Sequence, residues 1–211
     1  MRGLYLVTDR TLCGQRSLEY VIGQALEGGV AYVQLREKNV STRFFVEEAR
    51  RIKEITAPYG VPLIINDRLD VALAVAAEGI HVGQDDMPYK KARKLMGPRA
   101  IIGLSVETWD DVVGAQELDV NYLGVSPIFA TPTKTDTKGN WGLEGLARIK
   151  AYSRHPLVGI GGLNASNADD AVRAGADCIA VVSAICAAPD PLKATCELRD
   201  IIQAALEKRS K

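Results

Sequence analysis

Ile64-Ile65-Asn66-Asp67-Arg68 and, one segment later, His81-Val82-Gly83-Gln84-Asp85-Asp86 decide how this chain is read. Each stretch ends a short apolar run and then turns acidic. Neighbouring parallel strands lie about 5 Å apart. If these runs are such neighbours, Asp67 and Asp86 meet at one rim, where they can share a hard cation of the kind that also holds a substrate phosphate. Basic and polar groups converge on the same rim. Gln34-Leu35-Arg36-Glu37-Lys38 ends an earlier apolar run, and Thr131-Pro132-Thr133-Lys134 follows a later one. A dication, the cations Arg36, Lys38 and Lys134, and hydroxyl donors together suit a pyrophosphate.

Outward from these stretches, short β-branched runs alternate with longer segments of helical period, the pattern of a parallel sheet covered by helices. Strands are predicted near 4–7, 31–35, 62–65, 79–82, 100–104, 122–125, 157–160 and 178–182. Helical patterns separate them, clearest at 18–26, 42–57 and 168–174, and 191–206 closes the chain with Asp190 as cap and Pro191 at the first helical position. Three segments echo one another: Glu27 to Val33, Ala77 to Val82 and Arg173 to Ile179 each pass from a helix end through Gly into a strand. A left-handed residue commonly ends a helix, and Gly adopts it without steric cost. Eight such units predict a (β/α)8 TIM barrel forming one domain over 1–211, with its active site at the C-terminal rim of the strands. A doubly wound open sheet is the alternative, disfavoured because no GxGxxG opens a helix after the first strand.

Composition narrows the function. Lys plus Arg and Asp plus Glu balance at 26 each, so no general basic field exists for nucleic acid or an anionic membrane, and any anion site must be local. With 47% apolar residues the chain can bury a sizeable core, yet no apolar run approaches the roughly 20 residues of a membrane span. Cys13, Cys178, Cys186 and Cys196 form no CxxC pair and read as reduced, packed thiols in a cytoplasmic protein. Met1 to Arg10 reads as a first strand, its apolar core too short for a signal peptide. Oligomeric state leaves no readable signature.

The rim residues each admit a plainer role. Gln34, Arg36 and Lys38 alternate at period two and project to one side while the chain stays extended; the plainer reading is a strand end dissolving into a charged loop. Asp67 and Asp86 are also good helix caps. His81, in mid-strand, reads as a packed, hydrogen-bonded histidine rather than a general base. Ser105 follows the fifth strand, where a turn or cap serine is common. The segment from Thr131 to Thr137 is too polar for core and reads as a βα loop able to close over an anion, or as a solvated connection. Gly159-Ile160-Gly161-Gly162 and Val182-Ser183-Ala184 match a phosphate cradle of bare backbone N–H groups and a helix N-terminus. That cradle says only "phosphate".

Taken in order and at compatible spacing, Gln34 to Lys38, Asn66-Asp67-Arg68, His81 to Asp86, Ser105, Thr131 to Lys134, Gly161 and Val182-Ser183 resemble the thiamine-phosphate synthase family across nearly the whole chain. The resemblance implies that 4-amino-2-methyl-5-(hydroxymethyl)pyrimidine diphosphate and a thiazole phosphate, the hydroxyethylthiazole phosphate or its carboxylated form, combine to give thiamine monophosphate and pyrophosphate. It implies that Gln34, Leu35, Arg36, Glu37, Lys38, Asn66, Ser105 and Lys134 hold the pyrimidine diphosphate. Asp67 and Asp86 would hold one Mg2+, and Thr131, Pro132, Thr133, Gly161, Val182 and Ser183 would line the thiazole phosphate site. Arg36, Lys38, Ser105 and Lys134 would assist the chemistry, which needs no nucleophilic side chain and no redox cofactor. Val125-Ser126-Pro127 departs from a more usual Gly-Pro before the loop. Two other readings stay open: a thiazole tautomerase on the same fold, which needs neither the carboxylate pair nor the full cationic set, and a noncatalytic phosphate-binding barrel.

Overall fold

The predicted strands carry apolar side chains on both faces over most of their length, which is why the runs look continuous rather than alternating. In the computed structural model, which describes residues 1–131 and 139–209, they close into one parallel barrel in chain order: β1 Gly3–Val7, β2 Tyr32–Leu35, β3 Leu63–Asn66, β4 Gly79–Val82, β5 Ile101–Val106, β6 Tyr122–Val125, β7 Leu157–Gly159 and β8 Cys178–Val181. β8 pairs with β1 through Leu4 opposite Ile179 and Tyr5 opposite Ala180, so no sheet edge is left between them. The open-sheet alternative is thereby excluded.

The two-residue period separates two cores. Leu4, Leu6, Val33, Leu35, Leu63, Ile65, Ile80, Val82 and their equivalents face outward into the layer under the helices. Tyr5, Val7, Ile64, Tyr122, Val158, Cys178 and Ala180 face inward and fill the barrel. Three inward positions are glycines whose missing side chains make room for large neighbours. A Cβ on Gly79 would lie 2.7 Å from Ile64 Cδ1 and 2.3 Å from the Ile101 carbonyl; one on Gly103 would lie 2.1 Å from the Tyr122 ring; one on Gly124 would lie 2.8 Å from His81 Cε1. Small and large residues thus alternate around the taper, as tight barrels require.

The helices are α1 Leu18–Glu27, α2 Thr42–Thr56, α3 Leu69–Ala74, α4 Tyr89–Met96, α5 Trp109–Ala115, α6 Gly142–Tyr152, α7 Ala168–Arg173, α8 Ser183–Cys186 and α9 Pro191–Arg209. Side-chain caps fix several starts: Ser17 accepts from Tyr20 N, Ser41 from Phe44 N, and Thr108 and Asp111 form a reciprocal capping box. Asp190 accepts from Lys193 N as expected, but α9 runs to Arg209. Among the described residues no helix is long and apolar enough to cross a membrane.

Two expectations need correcting. Gly29 and Gly175 take the left-handed turn after their helices, with φ of 89° and 124°, but after α3 that turn is made by Ala76, at φ 49°. Gly79 belongs to the strand and is required there by Ile64 and Ile101, not by helix termination. β5 also runs two residues further than its apolar pattern, so Ser105 is an inward strand position rather than a turn.

Candidate active site

The site assembles where the strands end. Thr8, just beyond β1 and fully buried, donates its backbone N–H to Gln34 O at 2.9 Å and accepts the Arg36 N–H on its Oγ1 at 3.0 Å. That pair keeps the chain after β2 extended, so Gln34, Arg36 and Lys38 all face one cavity of about 380 Å³. Leu35 and Glu37 point the other way. Leu35 is fully buried in the outer core, and the Glu37 carboxylate accepts from Arg10 Nε at 3.2 Å. Arg10 also pairs with the buried Glu48 of α2, tying the β2–α2 connection to the body of the protein.

The two carboxylates do meet. Lys38 Nζ lies 2.6 Å from Asp67 Oδ2, and the Asp67 and Asp86 carboxyls are within hydrogen-bonding reach of each other. Neither caps its following helix. α3 starts without a side-chain cap, and Asp86 turns back to accept the Gly83 N–H at 2.7 Å. Burial alone would raise Asp67, but the Lys38 ammonium and the contact with Asp86 hold it below the usual carboxylate range. Burial and the neighbouring Asp67 raise Asp86, against the Gly83 N–H. Two carboxylates that meet beside an ammonium offer hard oxygens of the kind a hard dication takes.

Across the cavity, Gly161, Gly162, Val182 and Ser183 form the opposite wall. The N–H groups that open α8 have no partner within the helix, by the geometry of any helix start. The glycines have a steric reason beyond room for an anion. At φ 100° and 66° they pass so close beneath the β6–α6 segment that a Cβ would lie 2.6 Å from Pro127 Cβ and 2.8 Å from Phe129 Cβ. Between the walls, Asn66, Ser105 and Thr131 line the cavity, as do the apolar Val7, Val158, Ile160 and Ala180. Pro132, Thr133 and Lys134 lie outside the described residues.

The sequence reading missed the two tyrosines of the floor, while His81 is packed and hydrogen-bonded as expected. Tyr5, His81 and Tyr122 reach into the cavity from β1, β4 and β6, with the His81 ring stacked on Tyr122 at 5.4 Å. A tyrosine inside a β-branched run reads as core, and these two are core by burial. The signal that something large enters the barrel was Gly103 and Gly124, glycines inside strands, which mark close approach. Gln84 also contributes, donating from Nε2 to the Ser105 carbonyl at 2.7 Å and so bracing β4 against β5 at the rim.

Residues 4–185 match the family described as thiamine monophosphate synthase. The thiamine-phosphate synthase of Albidiferax ferrireducens is 55% identical over 201 residues, covering 95% of this chain and 92% of that one. That of Leptospira biflexa is 52% identical over 204 residues, covering 95% and 97%. Among solved structures, a thiamine phosphate pyrophosphorylase from Pyrococcus furiosus superposes with a TM-score of 0.89 at 39% identity, over 97% of this chain and 96% of that one. A 3-hexulose-6-phosphate synthase at 18% identity and a TM-score of 0.67 shares the fold.

Proposed function

This chain belongs to the thiamine monophosphate synthase family, and on that premise we propose how the rim of its barrel performs the reaction. It is a transferase that joins 4-amino-2-methyl-5-(hydroxymethyl)pyrimidine diphosphate to hydroxyethylthiazole phosphate, giving thiamine monophosphate and pyrophosphate. The observation that carries the assignment of roles is the pairing of Asp67 with Asp86 beside Lys38, facing a Gly161 to Ser183 wall across one cavity. The first side suits a diphosphate with a cation, the second a monophosphate.

Among the described residues no cluster of three or more His, Cys, Asp or Glu stands ready for a metal. Two carboxylates nevertheless fit Mg2+, which keeps waters and takes its other ligands from substrate phosphates. One Mg2+ on Asp67 and Asp86 would neutralise charge growing on the departing pyrophosphate. Arg36 and Lys38, with Lys134 from outside the described residues, do the same from the protein side. The bond from the pyrimidine methylene carbon to the diphosphate oxygen breaks with its electron pair leaving on oxygen. The electron-rich aminopyrimidine stabilises the resulting cation, and the thiazole nitrogen then supplies the pair for the new C–N bond. Gln34 and Asn66 orient the pyrimidine, Ser105 contacts it, and Thr131, Thr133, Gly161, Val182 and Ser183 hold the thiazole phosphate. Val158, Ile160 and Ala180 keep water from the cation. Leu35 and Glu37 serve through the backbone and through Arg10. The free thiols of all four cysteines suit a reducing, cytoplasmic setting.

The test is to incubate the purified protein with both substrates, with and without Mg2+, and to measure thiamine monophosphate. Product that depends on Mg2+ is expected. Undiminished product after complete chelation would overturn the metal assignment. Conversion of the thiazole phosphate between its tautomers with no thiamine monophosphate would point to the tautomerase, and ligand binding without any product to a noncatalytic barrel.

A further inference from the structure

The floor of the cavity carries three polar groups that the reaction scheme leaves unused, Tyr5, Tyr122 and His81, and they connect two that it uses, Gln34 and Ser105. Gln34 Nε2 donates to the Tyr5 hydroxyl at 2.9 Å, and that hydroxyl lies 3.0 Å from the Tyr122 hydroxyl. The Tyr122 hydroxyl lies 2.9 Å from His81 Nδ1, and His81 Nε2 lies 2.8 Å from Ser105 Oγ. Five side chains from β2, β1, β6, β4 and β5 thus form one unbroken chain across the barrel. Gly103 and Gly124 give up their side chains to the Tyr122 and His81 rings, so the barrel is shaped around it.

Counting protons gives the chain a direction. Both tyrosines are buried, and burial holds both phenols above their ordinary range, so each keeps its proton. A buried O–H needs an acceptor. Among the described residues the Tyr5 hydroxyl meets Gln34 Nε2 and the Tyr122 hydroxyl; since it accepts from the first, it donates to the second. Tyr122 then donates to His81 Nδ1. The imidazole carries its proton on Nε2 and donates it to Ser105, whose own hydroxyl proton is left for the cavity. At the other end, tying up Gln34 Nε2 leaves the amide oxygen for the cavity.

We infer that this one-way chain makes Gln34 a fixed acceptor and Ser105 a fixed donor at opposite ends of the floor, with Tyr5 and Tyr122 as positioning residues that set the site's preference for an aminopyrimidine over an oxopyrimidine. The inference rests on the pyrimidine reading proposed above. An amino group offers N–H to the Gln34 oxygen; a carbonyl at the same ring position sets two acceptors against each other, and sites with fixed polar groups reject such mismatches strongly. The Tyr5 hydroxyl is what stops the Gln34 amide from rotating to accept the carbonyl.

Two measurements test this. Imidazole 15N spectra of the ligand-free protein, simple because the chain has 2 histidines, should show His81 neutral and protonated on Nε2, with the Nδ1 signal moving in Tyr122→Phe. Binding of the aminopyrimidine diphosphate and its 4-oxo analogue should show a preference that falls about tenfold, one hydrogen bond's worth, in Tyr5→Phe, with affinity for thiazole phosphate unchanged. A proton on Nδ1 in the unmodified protein, an Nδ1 signal unmoved by Tyr122→Phe, or equal preference in Tyr5→Phe and the unmodified protein would each overturn the inference. If the unmodified protein binds neither pyrimidine, the site reading fails, while the spectra still decide the direction of the chain.

Discussion

Asp67 holds its backbone at φ 60°, a conformation that costs an L-residue with a Cβ roughly 1–2 kcal/mol and that Asp tolerates better than most. Its N–H donates to the His81 carbonyl at 2.8 Å, which anchors the turn, and its side chain is thereby swung toward Lys38 and Asp86. Strain of this kind is retained where the side chain's position matters more than local stability. Two substitutions separate the effects. Asp67→Ala and Asp67→Gly should both lower turnover by on the order of a hundredfold, the loss of one electrostatic stabiliser. In denaturant titrations, however, Asp67→Gly should be more stable than Asp67→Ala by about 1 kcal/mol, because only Gly is free of the Cβ conflict. Equal stability of the two would remove the strain argument, and near-normal turnover in either would remove Asp67 from the metal site.

At the scale of elements, one carboxylate ties four elements together at the N-terminal end of the barrel. Asp177, just before β8, accepts from Leu157 N at 2.9 Å and from Lys150 Nζ at 2.7 Å, and pairs with Arg209 at 2.6 Å. It therefore joins β7, β8, α6 and α9. Burial would raise its pKa, but Lys150, the Leu157 N–H and Arg209 outweigh it and hold the group below the usual carboxylate range. A carboxylate depressed in the folded state stabilises the fold above its unfolded pKa, and that contribution fades as pH falls through the folded pKa. Asp177→Ala should cost about 1.5–3 kcal/mol at neutral pH, the range for hydrogen bonds to a charged group, with turnover per folded molecule intact. The gap between the variant and the unmodified protein should narrow on acidification; a gap constant with pH would mean that packing, not charge, makes the contact matter.

At the scale of the molecule, the two proposed anion sites lie on opposite walls of one cavity, and each should be readable as stability. A ligand at a hundred times its Kd adds about 2.7 kcal/mol, which for a domain of this size is roughly 5–10 °C in Tm. Pyrophosphate with Mg2+ should give such a shift, pyrophosphate alone a smaller one, and inorganic phosphate a further increment on top of the first, since the Gly161 to Ser183 wall is separate from the carboxylate pair. In Asp86→Ala the Mg2+ enhancement should vanish while the phosphate increment stays. A phosphate increment that disappears once pyrophosphate and Mg2+ are bound would mean a single anion site.

Much of this was legible in the chain because it follows from short-range rules. A parallel barrel strand is apolar on both faces and ends where the chain turns polar, so the alternation of runs and helical segments carried the eight strands and the rim positions of Gln34, Arg36, Lys38, Asn66, Asp67 and Asp86. What the sequence by itself determined was which residues stand at the C-terminal ends of strands, since period and polarity are local. The direction of Leu35 and Glu37 away from the cavity was also implicit in that period. Closure decided the rest. Whether Tyr5 and Tyr122 are inert core or a polar floor depends on two hydroxyls from strands 117 positions apart meeting at 3.0 Å. Whether Gly79 ends a helix or clears space for Ile64 depends on the neighbouring strand's register. Such facts are set by which side chains share the narrow inside of a closed barrel, where distance along the chain carries no information and the volume of each residue is judged against partners from every other strand.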